Sequence, residues 1–386
     1  PPVIAAGAGR PPFASVSLSY ATDPLKPAVF NPQTYRELVS GQRRGLRAMC
    51  CRGLLRVVET PYAWAMRWRN RRYDRGKAAS FRVDVPVICV GNLTLGGTGK
   101  TPTVEWVARW FRRRGIRVTL VSRGYKATDG ARNDESLELE QKLPDVPHLQ
   151  NVDRVEAART AIEEFEAQLI LLDDGFQHRR LQRDLDIVLI DALEPFGFDH
   201  VFPRGTLREP LSGLKRAQVV ILSRADLCTP EERERIWQRV RRYAPHAAQV
   251  EAAHRPLELL NFSRQTQPLE TLAGQPLLAF CGIGNPEGFR RTLGGLNYNV
   301  QAWRAFPDHH NYTRDDIESL ANEARAAGVA GLVCTHKDLV KIGMDSLGGL
   351  PLWAVRIGLE ILQGEDALNA ALEKIVAMMP PEEEQE

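Results

Sequence analysis

From residue 81 onward, short aliphatic and β-branched runs alternate with longer stretches in which apolar positions recur every three or four residues. The short runs predict buried strands over 85–90, 117–122, 168–173, 185–190 and 217–222. The longer stretches predict helices near 101–114, 155–166 and 230–243. Repeated strand–helix units argue for an α/β fold with a doubly wound, mostly parallel sheet, which gathers ligands at the carboxyl ends of its strands. The rhythm lapses over 251–275, which reads as a linker. It resumes as a smaller α/β region with strands at 277–281, 300–306, 331–335 and 352–355 and helices near 286–293, 313–327 and 365–378.

Residues 34–74 carry a different pattern. Leu46, Met49, Cys50, Leu54, Val57 and Val58 recur at helical spacing, and Arg43, Arg44, Arg47, Arg52 and Arg56 fill much of the rest. After an expected break at Pro61, Tyr62, Trp64, Met66 and Trp68 interleave with Arg67, Arg69, Arg71 and Arg72. A basic amphipathic helix with interfacial aromatics suits an anionic membrane surface. A helix packed on the core with a solvated arginine face fits the same residues. Nucleic acid is not expected, because no second basic-aromatic surface supports it.

Composition narrows the class. The chain of 386 residues can hold two cored domains, and 43% hydrophobic with 26% charged residues is ordinary for a soluble globular protein. A net charge of +3 does not by itself point to an anionic polymer. The six cysteines show no metal or disulfide spacing apart from the adjacent Cys50 and Cys51, which suggests a reducing compartment, the cytoplasm. There is no signal-peptide pattern and no uncharged apolar run near the ~18 residues a span requires.

The chemistry centres on Val87-Ile-Cys-Val-Gly-Asn-Leu-Thr-Leu-Gly-Gly-Thr-Gly-Lys-Thr-Pro102, a strand, a Gly-rich turn and a helix start. Successive amides of such a turn cradle phosphate oxygens. In this P-loop reading Thr94, Leu95, Gly96, Gly97, Thr98, Gly99, Lys100 and Thr101 bind a nucleoside triphosphate, with Lys100 on the β/γ-phosphates and the Thr101 hydroxyl on Mg²⁺. Thr94 stands where the general pattern has its first glycine, and a plain Gly-rich turn is the competing view. Leu169 to His178 ends a buried run in two carboxylates, Asp173 for Mg²⁺ and Asp174 in support; a strand-ending Asp-Gly turn is the bland alternative. His178 fits a core position equally well.

Other candidates are open on spacing alone. Asp134, in a loop after the second strand, could serve as a base or be a solvated acid. Arg208 could bind phosphate bidentately or lie on a surface loop. Asp308-His-His310 could be metal ligands or an Asp-supported histidine for proton transfer. Thr335-His-Lys-Asp338 and Ser223-Arg-Ala-Asp226 weakly suggest base-reading motifs, with a capped strand–helix turn as the alternative.

Taken together, Val90 to Pro102, Ser122-Arg-Gly-Tyr125, Asp173-Asp-Gly-Phe-Gln-His178 with Arg183-Asp-Leu-Asp186, Leu207-Arg-Glu-Pro210, Phe280-Cys-Gly-Ile-Gly284 and Phe306-Pro-Asp-His309 resemble one family, the tetraacyldisaccharide 4′-kinases of Gram-negative lipid A biosynthesis. The resemblance spans roughly 34–360 and includes Thr94 in place of glycine. It implies a peripheral enzyme on the cytoplasmic face of the inner membrane, docked through 34–74, that moves the γ-phosphate of ATP with Mg²⁺ onto the 4′-hydroxyl of a tetraacyldisaccharide 1-phosphate. No obligatory protein partner is implied. Asp134 and His309 map onto the catalytic base and its partner, with Lys100 as the third catalytic group. Arg154, Gln177, Arg208 and Glu209 map near the phosphates or the lipid head group, and Thr101, Asp173 and Asp174 onto the metal. The sequence departs from the family at Asn133 and Ser136, which flank the acids, and at His336, where glutamate is usual.

The expected layout is a disordered extension at 1–33, an amphipathic docking helix at 34–74, a P-loop domain at 75–250, a linker at 251–275, a second α/β domain at 276–380 and an acidic tail at 381–386. Two rival functions use the same loop. One is a nucleotide-switched module recruited to membranes, which needs no acceptor. The other is a P-loop kinase with a different acceptor.

Overall fold

In the structure, a computed structural model, residues 32–124, 134–308 and 310–379 are described, with the backbone alone at 32, 33, 134 and 135. The strands are β1 (Val87–Asn92), β2 (Val118–Ser122), β3 (His148–Gln150), β4 (Leu169–Asp173), β5 (Leu185–Asp191), β6 (Val219–Ser223), β7 (Ala248–Leu260), β8 (Thr266–Gln267), β9 (Pro276–Cys281), β10 (Asn299–Ala305), β11 (Gly331–Thr335), β12 (Ser346–Leu347) and β13 (Leu350–Gln363). The helices are α1 (Pro32–Val39), α2 (Leu46–Asp74), α3 (Lys100–Arg112), α4 (Asp134–Lys142), α5 (Arg154–Phe165), α6 (Pro230–Tyr243), α7 (Pro286–Gly295), α8 (Arg314–Ala326), α9 (His336–Ile342) and α10 (Glu365–Val376).

One sheet runs through the whole chain in the order β10-β9-β11-β13-β7-β6-β5-β1-β4-β2-β3, with β12 and β8 paired off the main path. Its strands pair in parallel except at β7–β13 and at the two short hairpins β7–β8 and β12–β13. The central strands β1, β4, β5 and β6 are buried on both faces, which explains why they read as unbroken apolar runs. On one face Val155 and Ala158 of α5 and Trp237 and Val240 of α6 cover them. On the other, Val104, Val107 and Phe111 of α3 pack with Leu368 and Leu372 of α10.

The doubly wound sheet expected from the sequence is therefore present, but its joint is not a linker. Within 251–275 the chain continues β7. Residues 248–252 pair in parallel with β6, and residues 251–260 pair antiparallel with β13. Alternation along β7 is weak because Ala252, Ala253 and Leu259 are all buried, while His254 is half-buried and Leu257 exposed, so the period-2 signal is lost. Helix α10 also departs from the expected grouping with the second region. It returns to the first half, where the Asn369 amide oxygen accepts from Trp110 Nε1 at 2.9 Å. Residues 32 and 33 open α1 rather than closing an extension; residues 1–31 and 381–386 lie outside the described residues.

Helix α2 continues through Pro61 instead of breaking there. Proline removes one helical hydrogen bond, and here the loss falls on an exposed face, where water can satisfy the freed carbonyl of Val57.

Burial also sets the response to acid. Desolvation above all pushes His148, His178 and His336 down to about 4 and His254 to about 3. Unfolded histidine titrates near about 6.5. Between these values the unfolded chain takes up protons that the folded chain refuses, so stability falls as pH falls. The thermal midpoint is expected to hold above about pH 7 and to decline already between about pH 6.5 and 5, before most carboxylates titrate. A midpoint constant down to about pH 5 contradicts this assignment.

Candidate active site

Strand β1 delivers the Gly-rich turn to the carboxyl edge of the sheet. Gly96 and Gly99 take φ values of 117° and 85°, a left-handed backbone that glycine adopts without a Cβ penalty. Neighbours brace the turn from outside. Asn92 Nδ2 donates to Thr98 Oγ1 at 3.0 Å, Ser223 Oγ to the Thr98 carbonyl at 2.8 Å, and Arg224 Nη2 to the Gly97 carbonyl at 2.6 Å. Leu95 N donates to the Thr206 carbonyl and Arg208 N to the Leu93 carbonyl, both at 2.7 Å. Two of the turn's carbonyls are thus held on its outer side. The first-turn amides of α3 have no helical acceptors, and the N-cap Gly99 brings no side chain to satisfy them. This is the geometry of an anion cradle.

Strand β4 lies beside β1, with Asp173 in register with Val90. Asp173 is buried at the strand end. Asp174 follows with φ 54°, and its carboxylate collects the local cations. Arg208 Nη1 lies 2.8 and 2.7 Å from its two oxygens, and Lys100 Nζ lies 3.7 Å from Oδ1. Burial raises this carboxyl, but Lys100 and Arg208 outweigh it and hold it below the usual range. Arg154, the first residue of α5, is buried, and its Nε has no hydrogen-bond partner. A buried cation at a helix N-terminus is unfavourable unless an anion meets it.

Glu209 and Gln177 sit one layer back. The Glu209 carboxylate is 1% exposed and pairs with Arg216 at 2.7 and 3.1 Å. It also accepts from Asn70 Nδ2 at 2.6 Å and from Gln177 Nε2 at 3.2 Å. Gln177 Nε2 in turn reaches the Asn92 carbonyl at 2.9 Å. Both side chains therefore tie the 203–210 segment and the end of β4 to β1 and to α2.

Helix α2 docks on this segment through polar contacts. Glu59 accepts from Val201 N at 2.9 Å, Tyr62 Oη donates to the Arg208 carbonyl at 3.1 Å, and Arg69 donates to the Gln177 carbonyl. At about 100° per residue, these positions lie opposite Leu54, Val57, Trp64 and Trp68, which are between 52% and 68% exposed. The side facing the protein carries these polar contacts together with buried Ala63, and the exposed side carries the apolar stripe interleaved with exposed Arg47, Arg67 and Arg71.

Asp134 opens α4, which packs between α3 and α9 and is anchored by Gln141 Oε1 to His336 Nε2 at 3.0 Å. The Asp134 side chain and His309 lie outside the described residues. His310 is 3.0 Å from Asp316 at the cap of α8, so it serves that helix; among the described residues no three His, Cys, Asp or Glu cluster for a metal. Asp338 accepts from Gly282 N at 3.0 Å and Tyr312 Oη at 2.9 Å, and Arg255 occupies Asp226 at 2.9 Å. Both suspected base-reading motifs are thus engaged internally. Sequence reasoning missed Asn92, Ser223, Arg224, Asn70 and Arg216 as supports of the site. Ser223 and Arg224 end a strand at the ligand edge, a signal that could have found them.

Residues 51–377 match the family described as tetraacyldisaccharide-1-P 4′-kinase. The chain belongs to that family. Among its relatives, the tetraacyldisaccharide 4′-kinase of Anaeromyxobacter sp. (strain K) is 42% identical over 345 residues, covering 84% of this chain and 91% of that one. That of Halothermothrix orenii is 35% identical, covering 80% and 88%. The solved structure of LpxK from Aquifex aeolicus in complex with ATP superposes with a TM-score of 0.68 at 27% identity, covering 84% of this chain and 99% of that one. A tetraacyldisaccharide-1-P 4′-kinase thus has the mostly parallel α/β fold with the Gly-rich turn at its centre, as the alternating strands and helices predicted.

Proposed function

We propose that this chain transfers the γ-phosphate of ATP to the 4′-hydroxyl of a tetraacyldisaccharide 1-phosphate at the cytoplasmic face of the inner membrane. The observation that carries the proposal is that Lys100 and Arg208 meet on Asp174 beside the Gly-rich turn, with buried Arg154 acting on the same carboxylate, next to a helix that exposes Trp64 and Trp68 among arginines. Phosphoryl transfer asks the protein mainly for position and charge, and this cluster supplies both. The turn and Lys100 would bind the β/γ-phosphates, and Arg154 and Arg208 would neutralise the transferring group. Asp134 would accept the hydroxyl proton with His309 as its partner. Gln177 and Glu209 would hold the acceptor loop in place.

Thr101, Asp173 and Asp174 offer only hard oxygen donors, which suit Mg²⁺, an ion that takes one or two carboxylates and completes its shell with water and phosphate. Asp173 and Thr101 would hold it, with Asp174 in support. Bound there, the ion would supply charge neutralisation to the phosphates.

A kinase releases ADP in step with its acceptor. In mixed micelles ADP formation is expected to depend on the tetraacyldisaccharide 1-phosphate, one ADP per lipid phosphorylated. ADP release at the same rate without lipid would favour the nucleotide-switched module, and phosphorylation of a water-soluble sugar instead would favour a different acceptor.

Helix α2 gives a separate prediction. No helix among the described residues is long and apolar enough to cross a membrane, so attachment would rest on its outer stripe. Replacing Trp64 and Trp68 by serine is expected to weaken binding to anionic vesicles by about tenfold or more, with ATP affinity unchanged. Vesicle flotation checks this, and unchanged flotation contradicts it.

A further inference from the structure

Strand β7 does more than join two halves of a sheet. Alongside β6, its side chains Val250 and Ala252 pack in the cluster that includes α3, and His254, the next residue of that alternation, lies just past the end of β6. Its ring reaches the nucleotide turn. A Cβ built on Gly99 would fall 2.2 Å from both Cε1 and Nε2 of His254, so the imidazole edge rests directly on the Gly99 backbone. Glycine is required there twice over, for its left-handed φ of 85° and for this contact. His254 Nε2 is buried without a hydrogen-bond partner. Burial, reinforced by Arg224 and Lys142, pushes the imidazole down to about 3, so the ring is neutral at physiological pH. Its contribution here is shape.

The same ribbon touches α3 a second time. Opposite His254 in the ladder is Leu359 of β13, and a few residues earlier Arg356 pairs with Glu105 of α3 at 2.7 Å. The β7–β13 ribbon therefore holds the turn at its last glycine and the following helix in its second turn. Residues 352–355 of β13 are at the same time in parallel register with β11 of the second half.

We infer that His254 is a positioning residue that seats Gly99 on the β7–β13 ribbon, so that nucleotide occupancy of the turn is transmitted to the joint between the two halves. The inference rests on the turn being the ATP site. A packed contact couples two elements when both have discrete arrangements and the contact fixes their relation. His254 supplies the fixing contact, its ring edge lying against the Gly99 backbone.

The test uses the full chain, ATP, and hydrogen exchange read by mass spectrometry. In the unsubstituted protein ATP is expected to slow exchange both at residues 95–101 and along 252–260 and 354–361. In His254→Ala, saturating ATP should still protect the turn but no longer the ribbon, and the ATP dissociation constant should rise by about tenfold. His254→Phe, which restores a ring without nitrogens, should recover both within about threefold. A purely structural role would lower the thermal midpoint of His254→Ala and leave ribbon protection coupled to ATP. Ribbon protection in His254→Ala equal to the unsubstituted chain overturns the inference. So does its loss in a folded His254→Phe, which decides the matter if the alanine variant does not fold. Absence of any ATP protection at 95–101 in the unsubstituted chain would instead remove the nucleotide assignment on which the inference stands.

Discussion

Lys100→Ala is expected to lower kcat by about three orders of magnitude while the protein remains folded. The lysine is the first residue of α3 and its side chain is only 12% exposed, so its charge acts in a largely desolvated site where it is worth more than in water. Its one described ion pair is with Asp174. In the proposed mechanism the ammonium would serve the β/γ-phosphates when ATP enters, and no other lysine of the described residues stands on the turn. The fold should survive because Asp174 keeps both bonds to Arg208 when Lys100 is removed, so no buried charge is stranded. The assay is turnover with saturating ATP and lipid acceptor beside a thermal melt. Turnover within about tenfold of the unsubstituted protein would remove Lys100 from the mechanism.

Glu209→Ala is expected to act in the opposite way, on stability first. Glu209 and Arg216 form the most buried bidentate pair near the site, at 1% and 9% side-chain exposure. Removing one member of a buried pair leaves the other charge uncompensated and costs about 3–5 kcal/mol. Arg216 would keep its position over the Phe176 ring, 4.2 Å from the centroid, but a ring face replaces little of a carboxylate. Asn70 loses its acceptor and Gln177 one of its two at the same time, so α2 should loosen from the 203–210 segment. The midpoint is expected to drop by about 5 °C or more, with proteolytic nicking near residues 70–80. Glu209→Ala combined with Arg216→Ala should cost less than the sum of the two single changes, as coupled partners do. Additive costs would show that the pair is not coupled, and an unshifted midpoint would show that the burial does not matter.

These two residues show where sequence pattern informs and where it stops. Lys100 was legible because strand, Gly-rich turn and helix start are all local signals within 16 residues. The parallel core was legible because strands buried on both faces leave continuous apolar runs, as in Ile187 to Ile190. Glu209 was placed near the substrate by motif, but its partners Arg216 and Asn70 come from a 3-10 turn and from α2. No spacing rule joins residue 209 to residue 70. The ribbon was illegible for a related reason. Strand β7 pairs in parallel with β6 at its start and antiparallel with β13 along the rest, and its burial follows neither alternation nor a continuous run. The short elements α4, α9 and β3 escaped because tertiary contacts define them: α9 begins on a Thr335 cap and ends at Gly343 after only 7 residues. Helix α2 was half legible. Its spacing indicated a helix with aromatics and arginines, and only the docked geometry shows that Glu59, Tyr62 and Arg69 face the protein.

The account turns on one event, delivery of the γ-phosphate of ATP to the 4′-hydroxyl of an acylated disaccharide. The most direct measurement follows labelled γ-phosphate from ATP in mixed micelles containing tetraacyldisaccharide 1-phosphate and Mg²⁺, then locates the label on the product by phosphorus–proton correlation NMR. The predicted result is a second phosphomonoester at the 4′ position, absent without Mg²⁺ and absent with Lys100→Ala. Label recovered wholly as inorganic phosphate, or on any other hydroxyl, would contradict the account.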